Sequence, residues 1–407
     1  MDNNIIVRAA AAQDIPAVVD LLMNLHNPHN KARIKNWLTL MMDGRHPHID
    51  AANFIVAQDT NSGRLAASVT YMPWTYSYGG SRVKAVRLEE VYCAPEYRGC
   101  GIIRRIAERI EEITAQEGYL FACVYGKNAL YPHLGFTHAL PNEEEGYCYV
   151  IEKEEAGKEL RIAKADDDDL PAIVKLYEAN YTRNLLTTAI GPTELNYMKN
   201  IYVEGEFYVV KRPDESICSF FHTQLKDRRI YMMELDGSVS YHQFRPYLLA
   251  FYKKHGLGEL HLKLGKTHPS YMVFDGLYHK KLPSELGFVK VSDIPRFLLG
   301  IADVLQGRLA ASPYAHFTGA FTLATHNREE AYRLSFRDGR LTQVNPVLQE
   351  YGEVDIERGR LTRLLFGRVA PQEMDEEFSM YCFQNSDFRS LIGILFPQMQ
   401  SHVVSIH

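Results

Sequence analysis

The residues best suited to chemistry run from position 88 to 103: Leu88-Glu89-Glu90-Val91-Tyr92-Cys93-Ala94-Pro95-Glu96-Tyr97-Arg98-Gly99-Cys100-Gly101-Ile102-Ile103. An apolar strand pattern leads into a turn, then Arg-Gly-x-Gly, then an apolar helical stripe. Glycines let the backbone curl so that several N–H groups face one point. The helix start adds its positive end, and Arg98 adds a charge-assisted contact. Together these features suit a pyrophosphate. A dinucleotide fingerprint would need a third glycine or alanine at 104, where Arg104 stands. A Walker loop fails too, because Gly265-Lys266-Thr267 has its ending but Leu260 takes the place of its first glycine. A glycine-rich turn that binds nothing is the bland alternative.

Other reactive types stand close by. Alternation along a strand lets only one of Glu89 and Glu90 face a cleft, and it groups Glu89 with Val91 and Cys93. Cys93 offers a thiol nucleophile, but no base adjoins it in sequence, and a free cysteine is usually a small core residue. Thirty residues past Gly101 comes Tyr131-Pro132-His133-Leu134-Gly135-Phe136. His26, His29, His46 and His48 crowd a stretch rich in asparagine and proline. They read as metal ligands or as a loop-rich rim.

These groups need an alternating strand–helix frame to hold them. Residues 54–57, 66–70, 86–93 and 120–125 read as strands, and 102–116 as a helix. A repeat follows. Asp14-Ile15-Pro16-Ala17-Val18-Val19-Asp20-Leu21 returns as Asp169-Leu170-Pro171-Ala172-Ile173-Val174-Lys175-Leu176, and Leu134-Gly135-Phe136 as Leu286-Gly287-Phe288, at offsets of 155 and 152. Each unit opens with an acidic cap and a first-turn proline. The second has strands at 207–210, 230–235 and 259–264 and a helix at 241–254. From about 295 the pattern changes to an apolar helix at 297–305, strands at 320–325 and 331–337, an Asp338-Gly339 hairpin turn, and a helix at 361–366 closed by Gly367.

Composition narrows the classes. The 407 residues predict two to four domains, since single cores rarely grow beyond about 250–300 residues. Hydrophobic residues are 46% and charged residues 23%, which excludes wholesale disorder, collagen and coiled coil. A net charge of −5 argues against a nucleic-acid binder. The six cysteines form no CxxC pair, which fits neither zinc nor a dense disulfide frame. No apolar run reaches the roughly 20 residues that span a bilayer, and the polar start shows no signal peptide. The expectation is a reduced, cytoplasmic protein.

Pro95-x-x-Arg98-Gly99-x-Gly101 after an apolar strand resembles motif A of the GNAT acetyltransferases, which holds the pyrophosphate of acetyl-CoA. Tyr131-x-x-x-Gly135-Phe136 is similar to that superfamily's Tyr-x-x-x-Gly-Phe segment. The whole layout resembles the Eis-like acetyltransferases, with Leu361 to Gly367 and Leu395-Phe396-Pro397 similar to their carrier-type domain. The resemblance implies an α/β (α+β) fold: two tandem GNAT units with mixed central sheets, then an α+β sterol-carrier-protein-like domain. The expected boundaries are 1–155 for a catalytic unit, 156–293 for a degenerate one and 294–407 for the carrier-like domain.

The same resemblance implies acetyl-CoA as co-substrate and no metal. Its contacts would be Tyr92, Cys93, Ala94, Arg98, Gly99, Cys100, Gly101, Ile102, Ile103 and Asn128. Tyr131 would protonate the coenzyme A sulfur as general acid, or else pack as an aromatic under the cofactor. Glu89 would act as base through water, or else serve as an ordinary strand residue or ion-pair partner. The C-terminal carboxylate of His407 would approach the acceptor amine. Backbone N–H groups near Tyr92 and Cys93 would polarise the acetyl carbonyl. In the second unit Asp236-Gly237-Ser238 replaces Arg-Gly-x-Gly and Pro283 stands at the repeat position of Tyr131, so one active site per chain is expected. The implied function is N-acetyl transfer to a primary amine of an aminoglycoside- or polyamine-like molecule or of lysine. The alternative is a non-catalytic acyl-CoA or lipid-binding module. A homo-oligomer without nucleic acid or membrane is implied as well.

Overall fold

The computed structural model describes residues 4–24, 31–126, 129–141, 144–149, 157–265, 267–274, 278–281, 286–325, 330–348, 351–376 and 382–404. The chain divides into two compact units. One is Met1–Pro141 with Glu285–Met399, and the other Asn142–Ser284 with Gln400–His407.

In the first unit the strands are β1 (Ile5–Ala9), β2 (Phe54–Asp59), β3 (Leu65–Tyr78), β4 (Ser81–Cys93), β5 (Ala122–Gly126), β6 (Thr137–Leu140) and, much later, β15 (Leu286–Lys290). They lie in the order β1-β2-β3-β4-β5-β15-β6. Neighbours are antiparallel except β4 and β5, which run parallel. Helices α1 (Ile15–Leu22) and α2 (Lys31–Met42) precede β2, and α3 (Ile102–Glu117) crosses from β4 to β5. Ile102, Ile106 and Ile110, spaced four apart on α3, meet Ile55, Val69, Val86, Leu88 and Val124 in one core. Helix α1 packs on β3 and β4, and its buried Val18, Val19 and Leu22 lie outside that core, so α1 covers the other sheet face.

The second unit holds β7 (Glu144–Tyr149), β8 (Arg161–Lys164), β9 (Leu186–Thr188), β10 (Glu206–Lys211), β11 (Ile217–Gln224), β12 (Arg229–Leu235), β13 (Glu259–Leu262) and β14 (Tyr278–Lys281). Its helices are α4 (Leu170–Tyr177), α5 (Asn180–Arg183), α6 (Pro192–Asn196) and α7 (Tyr241–Lys254). The sheet order β8-β10-β11-β12-β13-β7-β14 repeats the progression of the first. Like α1 after Asp14, α4 follows Asp169 with proline in its first turn. The sixth place in each sheet is taken by a strand from the other half of the repeat, β15 in the first and β7 in the second. The compact units therefore change at 141/142 and 284/285, whereas the sequence repeat divides at 155/156 and 293/294. Strand pairing sets these limits, and Leu286-Gly287-Phe288, read as the end of the second unit, is paired with Tyr125 and Leu140 of the first.

Residues 294–399 complete the first unit. The apolar helix expected at 297–305 is two helices, α8 (Ile294–Gly300) and α9 (Ala302–Ala310), broken at Ile301. Strands β16 (Gly319–Thr325), β17 (Glu330–Arg337), β18 (Arg340–Val347) and β19 (Val354–Asp355) form a sheet in the order β18-β17-β16-β19. Asp338 and Gly339 have φ of 50° and 73°, the hairpin turn expected from their types. Helices α10 (Arg358–Leu365), α11 (Pro371–Glu376) and α12 (Ser386–Leu395) follow. At the tip of the β3–β4 hairpin Tyr78 is fully buried, donates to the Leu365 carbonyl and meets Phe297 at 5.7 Å and Phe366 at 6.1 Å. Each ring so buried contributes about 1.5–3 kcal/mol.

Candidate active site

A bulge in β4 organises the site. Thr70 pairs with Glu89 and Ser68 with Tyr92, so Val69 alone opposes both Glu90 and Val91. Glu90 takes the extra place, with φ of 49°. The bulge reverses the alternation beyond it. Val91 and Cys93 pack against the core on the α3 side, whereas Glu89 stays with Arg87 on the opposite face. This corrects the expectation that Glu89, Val91 and Cys93 share one face, because strict alternation assumes an unbroken ladder.

The bulge also opens the sheet. Strand β4 pairs with β5 only at Val86–Ala122, Arg87–Cys123 and Leu88–Val124. Beyond that point Glu89 to Cys93 and Tyr125 to Gly126 diverge. The Ala94 N–H is spent on the Ala66 carbonyl at 2.9 Å. By alternation the Cys93 and Val91 N–H groups point the other way, into the gap. Of the expected backbone donors, then, Cys93 faces the opening and Tyr92 faces β3.

Arg87 is buried at the point where the strands part. It forms an ion pair with Glu89 and lies 5.4 Å from the centre of the Tyr125 ring. Burial works against its charge, but Glu89, Tyr76, Cys123 and Tyr125 around it more than compensate and hold the guanidinium protonated. Burial pushes the Cys93 thiol up, and that thiol donates to the Ala94 carbonyl at 3.7 Å. Neither feature suits a nucleophilic thiolate.

The loop after β4 is an exposed cradle. Pro95–Tyr97 forms one 3₁₀ turn, tied down by the Tyr97 hydroxyl donating to Asp59 Oδ2 at 2.9 Å. Arg98 Nε donates to the Cys93 carbonyl at 3.1 Å, and Cys100 Sγ to the Arg98 carbonyl at 3.8 Å. Gly99 and Gly101 have φ of 81° and 74°, a region that only glycine enters cheaply. Among the described residues, apart from their own chain neighbours, no atom lies within 4 Å of where a Cβ would stand on either. Helix α3 begins at Ile102, and its first bond runs from the Arg105 N–H to the Gly101 carbonyl at 3.2 Å. The N–H groups of Ile102, Ile103 and Arg104 thus open onto the loop, and glycine as cap supplies no side chain to cover them.

Tyr131 begins the 3₁₀ turn Tyr131–Leu134, closed by Gly135 at φ 82°. It is buried on the α3 side of the sheet, with Phe136 at 6.1 Å and Phe288 at 5.4 Å. The hydroxyl end of the ring lies against Gly126 at the end of β5, since a Cβ there would sit 2.3 Å from its Cε2 and 2.8 Å from its hydroxyl. A phenol on one face and a carboxylate on the other therefore flank the gap. Sequence reading missed Arg87, Gly126 and Phe288. Arg87 stands two before Glu89, a same-face spacing, and Gly126 directly follows an apolar strand. Nothing local points to Phe288.

Residues 6–139 match the family model described as an acetyltransferase (GNAT) domain. The first third of the chain is a GNAT acetyltransferase domain. No curated protein matches in sequence. Solved structures with similar folds include a conserved protein of unknown function from Enterococcus faecalis V583, a probable N-acyltransferase. It is 9% identical, with 99% of this chain and 100% of that one covered and a TM-score of 0.75. A GCN5-related N-acetyltransferase from Anabaena variabilis ATCC 29413 is 12% identical, with 99% and 98% covered and a TM-score of 0.71. Eis1 from Mycobacterium abscessus is 12% identical, with 99% and 100% covered and a TM-score of 0.65. At such identities the likeness is one of fold.

The GNAT domain's cradle has no counterpart in the second unit. After β12 the Asp236 carboxylate takes Arg212 at 2.5 Å, and Ser240 and Gln243 cap the start of α7. Helix α7 thus satisfies its own N-terminal donors where α3 leaves them open. Strands β12 and β13 also part after two pairs, but His268 Nε2 lies 2.8 Å from the Met233 carbonyl inside that opening. By topology the turn Pro269–Met272 matches Tyr131–Leu134, and its Tyr271 hydroxyl is spent on the Leu262 carbonyl at 2.7 Å. Pro283, the match by offset, lies outside the described residues. So do Asn128, His26, His29 and His407. The tail before His407 runs beside β9, with a Thr187–His402 bridge and the Thr188 hydroxyl donating to the Val404 carbonyl at 2.8 Å. His46 is buried, and His48 packs edge-on against Trp74 at 4.5 Å. Among the described residues no group of three or more His, Cys, Asp or Glu is placed to hold a metal ion, and no helix is long and apolar enough to cross a membrane.

Proposed function

We propose that the chain is an N-acetyltransferase that moves acetyl from acetyl-CoA to a primary amine by direct attack. The acceptor is a small aminoglycoside- or polyamine-like molecule or a lysine. One observation carries the reading: an uncapped, glycine-lined start of α3 leads to a sheet gap with Tyr131 on one face and Glu89 on the other. In this reading the pyrophosphate rests on the N–H groups of residues 99–103 with Arg98 beside it. The thioester enters the gap from the α3 side, and the Cys93 N–H steadies the carbonyl oxygen as it gains charge. The amine approaches from the Glu89 face and gives up one proton as the C–N bond forms. The C–S bond breaks, and Tyr131 donates a proton to the departing sulfur. From the neutral amine the transfer balances: the proton that nitrogen loses as the C–N bond forms restores Tyr131, and an ammonium's earlier proton passes through Glu89 to water.

The capped α7 and the occupied β12–β13 opening support a second, degenerate GNAT unit with a structural role. We assign residues 294–407 to a sterol-carrier-like domain. A cytoplasmic homo-oligomer completes the proposal. The test is release of coenzyme A from acetyl-CoA against aminoglycosides, polyamines, lysine peptides and amino acids, with Tyr131→Phe alongside. Amine-dependent release that drops at least tenfold in the variant upholds the reading. Acetyl-CoA binding without turnover of any amine sinks it in favour of a binding module.

A further inference from the structure

On the face that carries Glu89 stand two buried hydroxyls. Ser68 Oγ and Thr70 Oγ1 are fully buried and have no hydrogen-bond partner among the described residues. The register sets Thr70 directly opposite Glu89 and Ser68 opposite Tyr92. Opposed residues of an antiparallel pair keep their Cβ atoms about 4.5–5.5 Å apart. Further along the same face, Trp74 Nε1 is buried and likewise has no hydrogen-bond partner among the described residues. Thr70 and Ser68, opposite Glu89 and Tyr92, lie just beyond the level at which β4 and β5 separate. A buried hydroxyl without a partner costs stability, and valine or alanine would fill either place without that cost. Two such groups kept beside a carboxylate mark a place for donors that come and go.

We propose that Ser68, Thr70 and Glu89 form the subsite for the acceptor's ammonium group. This rests on the transferase reading above. A primary ammonium carries three N–H donors and no acceptor, and this face offers three acceptors: two hydroxyls and the Glu89 carboxylate, which also holds Arg87. The match favours an unhindered primary amine over a secondary one, which lacks the third donor. The carboxylate takes the proton released when the free amine forms, and the two hydroxyls hold the nitrogen in place toward the gap.

The experiment uses the full chain with Thr70→Val, Thr70→Ser and Ser68→Ala. The probe is 1,3-diaminopropane, compared with its N,N′-dimethyl derivative. Binding in the presence of coenzyme A is followed by calorimetry, turnover by coenzyme A release, and folding by melting temperature. Thr70→Val and Ser68→Ala are expected to melt at or above the wild type. They should bind the diamine at least tenfold more weakly and lose the preference over the dimethyl form, with KM for acetyl-CoA within twofold. Thr70→Ser should restore binding. Unchanged diamine binding in the folded variants, or no binding to the wild type at millimolar probe, overturns the proposal. Wild-type binding that the variants lose, with no turnover in any protein, keeps the subsite and removes the transferase reading instead.

Discussion

Replacing Gly126 by alanine isolates the position of a single hydroxyl group. Gly126 is not among the residues with positive φ, so alanine adds a methyl without straining the chain. That methyl would lie 2.3 Å from Tyr131 Cε2, whereas ordinary contacts begin at 3.4 Å, so the ring must retreat by about 1.1 Å. Phe136 and the fully buried Phe288 stand against it at 6.1 and 5.4 Å and resist the movement. Overpacking of this kind costs about 1–3 kcal/mol, which lowers Tm by several degrees. Displacing a catalytic group by about 1 Å costs roughly 10²-fold in rate. Steady-state coenzyme A release should therefore show kcat reduced about 100-fold, with KM for acetyl-CoA within about threefold. Placed on Tyr131→Phe, the same alanine should add little, because both changes act through one hydroxyl. A folded Gly126→Ala protein with wild-type kcat refutes the placement of Tyr131 in the chemistry. A further 100-fold loss on top of Tyr131→Phe refutes it equally.

Three other outcomes follow from the geometry. Alanine at Gly99 or Gly101 meets no neighbour but must adopt a left-handed φ, so stability should fall by only about 1–2 kcal/mol. KM for acetyl-CoA should rise about tenfold or more as the methyl enters the cradle, readable in acetyl-CoA titrations. Cys93→Ser should keep kcat within about threefold, and mass spectrometry after mixing with acetyl-CoA alone should show no acetylated protein, since burial keeps that thiol protonated. Burial pushes His222 down to about 4, and burial, aided by His268, does the same to His402. Between pH 6.5 and 4 the unfolded chain takes up protons that the folded chain refuses, so stability is lost as pH falls through that window. Each residue accounts for about 3 kcal/mol by pH 4. Urea midpoints from pH 7.5 to 4.5 should fall accordingly, and His222→Phe should flatten part of that slope.

Much of the GNAT domain was legible because its signals are local. Arg-Gly-x-Gly fixes two left-handed turns within four residues, and the stripe of isoleucines fixes α3 to within a residue of its expected end. Tyr131 to Phe136 forms the compact turn its glycine suggests. What escaped notice depends on partners distant in sequence. The bulge at Glu90 arises from how β4 meets β3, so no property of β4 alone reveals that Glu89 and Cys93 face opposite ways. Likewise β7 and β15 carry the same alternation whichever sheet they join. The ion pair of Arg87 with Glu89 needed only a strand spacing of two, and Ser240-x-x-Gln243 already spelled a self-capped helix in the second unit.

The traded strand gives synthesis itself a clock. Strand β6 ends at Leu140 and β15 begins at Leu286, with 145 residues between them. A ribosome adding about 5–20 residues per second needs roughly 7–30 s to cover that distance. Through that interval β5 and β6 wait with unpaired edges facing each other, a template for unwanted pairing. Tyr131 meanwhile lacks the ring of Phe288 that holds it against Gly126. A nascent chain that stalls before residue 290 carries the glycine loop, both glutamates and the tyrosine, and still has no finished site.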